Sequence, residues 1–148
     1  MIGIIVAAIL PNAAMTPGAT NPAVTQANIA QNICVANWTA TVRPPASYTD
    51  KLKLQQMKAL GLPGKPSDYE EDHLIPLSSG GNPTDPHNLW PQPWDGPCGA
   101  HQKDRIEVWE KNAVCKGTQT LAQAQHELST NWIAAYQAHI GSLSCGTQ

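Results

Sequence analysis

The chain has 148 residues, the usual size of one domain with one modest core. Hydrophobic residues make up 41% of it, charged residues only 14%, and the formal net charge is -2. Typical globular proteins carry about a quarter charged residues. This balance excludes a protein that coats nucleic acid through bulk positive charge, so any phosphate contact must use a local basic patch.

Residues 1–10, MIGIIVAAIL, form an apolar run shorter than the ~20 residues of a bilayer span. Pro11-Asn12-Ala13-Ala14 follows. An apolar run closed by small residues has the form of the end of a secretory signal, although no basic segment precedes it here. Residues 1–14 are therefore expected to be the remnant of an export signal. Residues 15–23, MTPGATNPA, read as a linker to a single domain over 24–148. No other segment is apolar enough to span a membrane, so no stable membrane association is expected, and the localisation expected is secreted or periplasmic.

Asn21-Pro22 is expected to cap a helix that runs to about Cys34, with Ile29 and Ile33 on one face. Residues 37–43, NWTATVR, alternate like a short strand that Pro44-Pro45 ends. Ser47 with Asp50 marks the start of a helix to about Leu60, carrying Lys51, Lys53 and Lys58. Residues 61–67 are rich in Gly and Pro and read as a loop. Residues 69–77 read as a strand, 78–87 as a turn-rich loop around Gly80-Gly81, and 88–92 as a second strand.

After Gly96-Pro97, a helix is expected over about 100–114, with Ile106, Trp109 and Ala113 on one face. Thr120 and Gln123 form a capping box that opens a last helix to about His139, burying Leu121, Leu128, Trp132 and Ala135. The fold class is α+β: one small hairpin in a mostly helical frame.

The four cysteines, Cys34, Cys98, Cys115 and Cys145, fit an exported domain with two bridges, for which three pairings exist. Cys34 and Cys115 each close a helix, which favours a bridge between them and leaves Cys98 with Cys145. Cys98 and His101 stand at zinc-like spacing, but no second close pair completes a structural zinc site.

The chemistry concentrates in residues 72–88, DHLIPLSSGGNPTDPHN. Neighbours on a strand point to opposite faces, but at a strand end Asp72 and His73 can reach one pocket. Asp72 is a hard oxygen ligand suited to Mg²⁺ or Mn²⁺. His73 has the titration range of a general base near neutral pH. Gly80-Gly81 allows a tight reversal that returns Asn88 to His73, where its amide can bind a metal or orient the ring. Trp90 and Trp94 lie beside these residues. Glu70 and Glu71 read as exposed strand charges, His87 as a turn residue, and His126 and His139 as solvent-facing.

The pattern D-H-x-x-P-[LI]-S-x-G-G-x6-N-[LI], met here by Asp72, His73, Pro76, Leu77, Ser78, Gly80, Gly81, Asn88 and Leu89, resembles the HNH or His-Me finger nucleases, also called the ββα-metal fold. The spacing of His73 and Asn88 is similar to that of colicin-type nuclease domains. With the phrases YEEDHLIPL, NLWPQP and KDRxE, the chain also resembles small exported bacterial proteins, many of unassigned function. The core of the resemblance covers about residues 69–112.

The resemblance implies a metal-dependent endonuclease acting on DNA, or less readily RNA. His73 would be the general base, Asp72 a metal ligand, and Asn88 either a ligand or the residue that holds the catalytic loop. A third ligand would come from the following helix, where His101, Asp104 and Glu107 are the candidates. The implied ion is Mg²⁺, with Mn²⁺ or Zn²⁺ as alternatives. Arg43, Lys51, Lys53, Lys58, Lys103 and Arg105 are the candidate phosphate contacts, set against an ordinary solvated role. A scavenging enzyme and a toxin, with or without an immunity protein, are equally compatible. The alternative is a non-catalytic exported binding or structural domain that retains the fold, against which the complete Asp72-His73-Asn88 set argues.

Overall fold

The computed structural model describes residues 9–145. Its frame consists of four α-helices and one antiparallel hairpin: α1 (Trp38–Val42), α2 (Ala46–Leu60), β1 (Tyr69–His73), β2 (Leu89–Pro93), α3 (Ala100–Lys116) and α4 (Leu121–His139). The expected α+β class is what the chain adopts. No helix among the described residues is long and apolar enough to cross a membrane.

The core lies between α3 and α4, where Ile106, Leu128, Trp132, Ala135 and Tyr136 pack together. A second cluster joins Val24 and Ile33 to Val114, Leu121 and Ala124. The Thr120–Gln123 box opens α4 through reciprocal bonds of 2.8 and 3.1 Å. Within α4, Asn131 leaves helical geometry; its side chain accepts from the amides of Ile133 and Ala134 and restarts the helix like an N-cap. Helix α2 covers the other side of the hairpin. Lys53 donates to the Tyr69 carbonyl and Gln56 to the Leu89 carbonyl, both at 2.9 Å.

Several elements depart from expectation. The expected strand over residues 37–43 is instead helix α1, Trp38–Val42, between Asn37 and Arg43 as its caps. Asn37 is left-handed (φ 63), and Trp38 and Val42, four apart, are both half-buried on one helical face. The apparent alternation of WTATV was a single helical turn. The first helix shrinks to a 3-10 turn, Gln26–Gln31. Asn28 and Asn32 take the backbone amides of Thr25 and Ile33, a side-chain competition that stops a regular helix.

Strand β1 stops at His73, and β2 starts at Leu89, with His73 paired to Leu89 and Asp72 to Trp90. Residues 15–23 are not a free linker. Thr16 donates to the Leu89 carbonyl, Gly18 to the His87 carbonyl and Asn21 to the Gly80 carbonyl. Of the expected signal remnant, residues 1–8 lie outside the described residues. Ile9 and Leu10 pack against the core, and the Ile9 carbonyl accepts from the Trp132 indole.

Cys34 bridges Cys115, and Cys98 bridges Cys145. The first ties the N-terminal segment to the end of α3; the second ties the start of α3 to the C-terminal tail. Non-reducing peptide mapping should recover these two linkages. Removing either should cost ~2–5 kcal/mol in denaturant unfolding, since each closes a long loop. A Cys34–Cys98 peptide would contradict the fold.

Candidate active site

Asp72 and His73 reach one cleft because His73 is the last residue of β1, where strand alternation no longer separates neighbours. The cleft holds about 330 Å³ and is lined by Glu70, Asp72 and His73 from the hairpin and by Asp104, Glu107 and Lys111 from α3, with Arg43 on its rim.

Beneath the cleft lies the buried ammonium of Lys103, which has no solvent exposure. It meets the Asp72 carboxylate at 2.8 Å and the Glu107 carboxylate at 2.5 Å, and donates to the His73 carbonyl at 3.0 Å. Burial alone would push this lysine down; Asp72 and then Glu107 overcome it and hold the pKa above the ordinary lysine value. Lys103 is therefore neither the phosphate contact nor the solvated surface charge, the two readings open to it from sequence. Trp90 completes the shell around Asp72, its indole N–H donating to the same carboxylate oxygen at 3.3 Å.

Four carboxyl groups, of Glu70, Asp72, Asp104 and Glu107, crowd this cleft. Burial, then Asp72, Asp104 and Glu107, push Glu70 up to about 8. Burial pushes Glu107 up to about 7 against the pull of Lys103, and raises Asp104 with help from Asp72. Glu71, facing α2, is pushed up to about 8 by burial against Lys53. Glu70 and Glu71 are thus half-buried rather than exposed. Glu70 Oε2 has no hydrogen-bond partner, and neither has the amide of Gln92, which pairs with Glu70 across the hairpin.

Asn88 is not placed to ligate a metal from this cleft. It is fully buried, and its amide acts as a substitute peptide group. Oδ1 accepts from the Ile75 amide at 3.0 Å and the Ala19 amide at 3.3 Å. Nδ2 donates to the carbonyls of Ile75 and Asn82, both at 3.0 Å. Of the two roles open to it, holding the loop is the one its hydrogen bonds occupy. The two glycines serve distinct needs. Gly80 sits at φ 74, and a Cβ on Gly81 would lie 1.7 Å from the Ile75 carbonyl oxygen.

The other expected contributors scatter. His101 is exposed and faces Asp95 at 4.0 Å and the Trp94 ring, away from the cleft. The ligand role expected of it fails because its helical position points toward the 94–97 turn. Asp104 and Glu107 do line the cleft. Arg105 turns to the Tyr136 hydroxyl and ring, and Lys51, Lys53 and Lys58 lie on α2, outside the cleft lining. Of the expected cations, Arg43 alone lines the cleft, joined by Lys111. The sequence did carry a signal for Lys111: Lys103, Glu107 and Lys111 follow one another at i, i+4 on one face of α3.

His73 donates from Nε2 to the Pro83 carbonyl at 2.9 Å. A carbonyl only accepts, so the neutral ring carries its proton on Nε2 and leaves the Nδ1 lone pair available. Burial lowers the His73 pKa below its ordinary value, despite the opposing Pro83 bond and Asp72.

Folded Glu70, Glu71 and Glu107 hold protons that their unfolded forms, at the ordinary 4.5, release. Their stabilisation is complete below that value and is lost as pH rises to about 8. His73, lowered by burial, works in the opposite direction. Unfolding free energy should therefore fall from about pH 5 to about pH 8, and Glu70→Gln should flatten the slope. Lys103→Met should cost ~3–5 kcal/mol at neutral pH by leaving buried carboxylates unpaired, and less at about pH 5. Urea titrations across this range test both; a flat or rising wild-type profile would contradict the raised carboxylates. No protein-family model matches the chain, and neither a curated protein nor a solved structure matches it.

Proposed function

We propose that the chain is an exported phosphodiester hydrolase of the HNH, or His-Me finger, kind, acting on DNA and less readily on RNA, with His73 as general base. The observation that carries this reading is the fixed tautomer of His73, its Nδ1 lone pair left unprotonated beside a cleft of carboxylates. A low pKa keeps the ring neutral near pH 7, as a base that activates water requires. The order hairpin then helix, with Asp72-His73 ending β1 and the acidic residues on α3, supports a ββα-metal assignment. The two disulfides support folding outside a reducing compartment.

The cleft residues fit a hard divalent ion by charge and donor chemistry. Four carboxylates face one buried ammonium, and Glu70 Oε2 is unpartnered. Among the described residues no three of these carboxylates bring ligating atoms within 4.8 Å of one another, so one or two of Asp72, Asp104 and Glu107 would hold the ion together with the substrate phosphate; Mg²⁺ suits such an all-oxygen set best, ahead of Mn²⁺ or Zn²⁺. When bound, it supplies positive charge against the charge that develops on the phosphate and the leaving oxygen.

The chain's own groups do the rest. Arg43 and Lys111 on the rim bind and orient the phosphate. His73 Nδ1 takes a proton from water. Asn88, through the Asn82 carbonyl, keeps neighbouring Pro83 against the His73 ring.

One observation favours a non-catalytic reading: the Lys103 ammonium already stands between Asp72 and Glu107, where a metal would otherwise be needed to bridge them. Plasmid and RNA cleavage at saturating Mg²⁺ separates the two. The wild type should nick, and its rate should level off at a lower pH than an ordinary histidine base would give, because burial lowers the His73 pKa. His73→Ala should lose ~10²–10⁴-fold in rate while keeping its fold. A disulfide-intact protein that cuts neither nucleic acid with Mg²⁺, Mn²⁺ or Zn²⁺ would establish the non-catalytic reading.

A further inference from the structure

Helix α3 carries a further buried acidic residue, Glu110, one turn beyond Glu107. Glu110 has no solvent exposure, and neither of its carboxylate oxygens has a hydrogen-bond partner. Leaving a buried carboxylate without donors is costly, so the group requires a proton or a cation. Two residues of α4 converge on it. Ligating atoms of Glu110, Glu127 and His139 lie within 4.8 Å of one another, which no other three-residue group of His, Cys, Asp and Glu achieves among the described residues.

His139 Nε2 stands 2.8 Å from Glu127 Oε2, both side chains being partly open to solvent. The His139 ring is stacked on Trp109 at 3.8 Å between centroids, which fixes its plane and aims Nε2 at the carboxylates. The Gln119 side chain lies within hydrogen-bond reach of both Glu110 and Glu127, where it favours their charged forms, and its own Oε1 is unpartnered.

We propose that Glu110, Glu127 and His139 form a binding site for a divalent transition-metal ion of the Zn²⁺ class, clipping α3 to α4. One imidazole and two carboxylates are the mixed nitrogen and oxygen donors that such ions prefer over Mg²⁺. Metal bonds of about 2.0–2.2 Å place neighbouring donor atoms roughly 3–3.5 Å apart, which small rotations of these side chains reach. The fully buried Glu110 supplies the inner wall, and the open sides of Glu127 and His139 supply the entry path. The competing occupant is a proton shared by Glu110 and Glu127, consistent with Glu110 being pushed up to about 9 by burial and then by Glu127. This site stands apart from the His73 cleft and holds whether or not that cleft cuts nucleic acid.

Calorimetric titration of metal-free protein with Zn²⁺ tests the proposal, using Glu110→Gln and His139→Gln against Asp104→Asn from the cleft. A binding event lost in the first two variants and kept in Asp104→Asn supports the site. No Zn²⁺ binding to the wild type, or binding unchanged in both α3–α4 variants, overturns it in favour of the shared proton. Should the variants fail to fold, Co²⁺ added to the wild type decides by NMR. Paramagnetic broadening at His139 and Trp109 supports the site, and its absence there overturns it.

Discussion

A single buried ammonium organises the hairpin and the helix behind it. Lys103 reaches from α3 to the Asp72 carboxylate and to the His73 carbonyl, while Glu107, one turn along the same helix, closes the other side. Charges so far from water attract strongly, and each partner would be expensive to leave alone. The bond to the His73 carbonyl matters as much as the ion pairs, because it sets the backbone on which the imidazole is mounted. The relation of α3 to β1, and so the shape of the cleft, follows from this contact.

A neutral contact does the same for the loop. Between His73 and Leu89 the chain makes a long reversal, and Asn88 holds it by standing in for a peptide group against Ile75. Gly81 lies so close to the Ile75 carbonyl that no side chain would fit. The same amide reaches Ala19, which draws the segment before the first turn onto the loop and makes it part of the fold. Where β1 runs out, a side chain continues its hydrogen-bond ladder.

Helix α3 thus carries two acidic regions one turn apart, the cleft around Glu107 and the group around Glu110. Both hold more carboxylates than buried cations. Such local conflicts cost stability, and proteins tend to keep them at functional positions. The apolar face of α3, led by Ile106 and Ala113, supplies the compensating burial against α4.

Much of this was readable in the residues alone. Regular, long patterns transferred directly: the Thr120 capping box, the inward residues of α4, the span of α2 and the pairing of the cysteines. The shared cleft of Asp72 and His73 was legible because neighbours at a strand end can face one pocket, and the return of the loop at Asn88 because a glycine-rich reversal of fixed length leaves few ways back; the amide of Asn88 holds that loop rather than entering the cleft. Short or side-chain-driven segments were not legible. Five residues of WTATV satisfy helix and strand periods alike, and asparagine side chains broke the expected first helix.

Sequence by itself determined the α+β class, the place of Asp72 and His73 on β1 and the helical position of Asp104 and Glu107, since covalent order and hydrophobic period are local properties. Only the tertiary structure decided their partners: that Lys103 is buried between carboxylates, that Asn88 spends its amide on backbone, that His101 turns away, and that Glu110 meets Glu127 and His139. Those outcomes depend on distances between segments far apart in the chain, and on how much water remains around each charge once they pack.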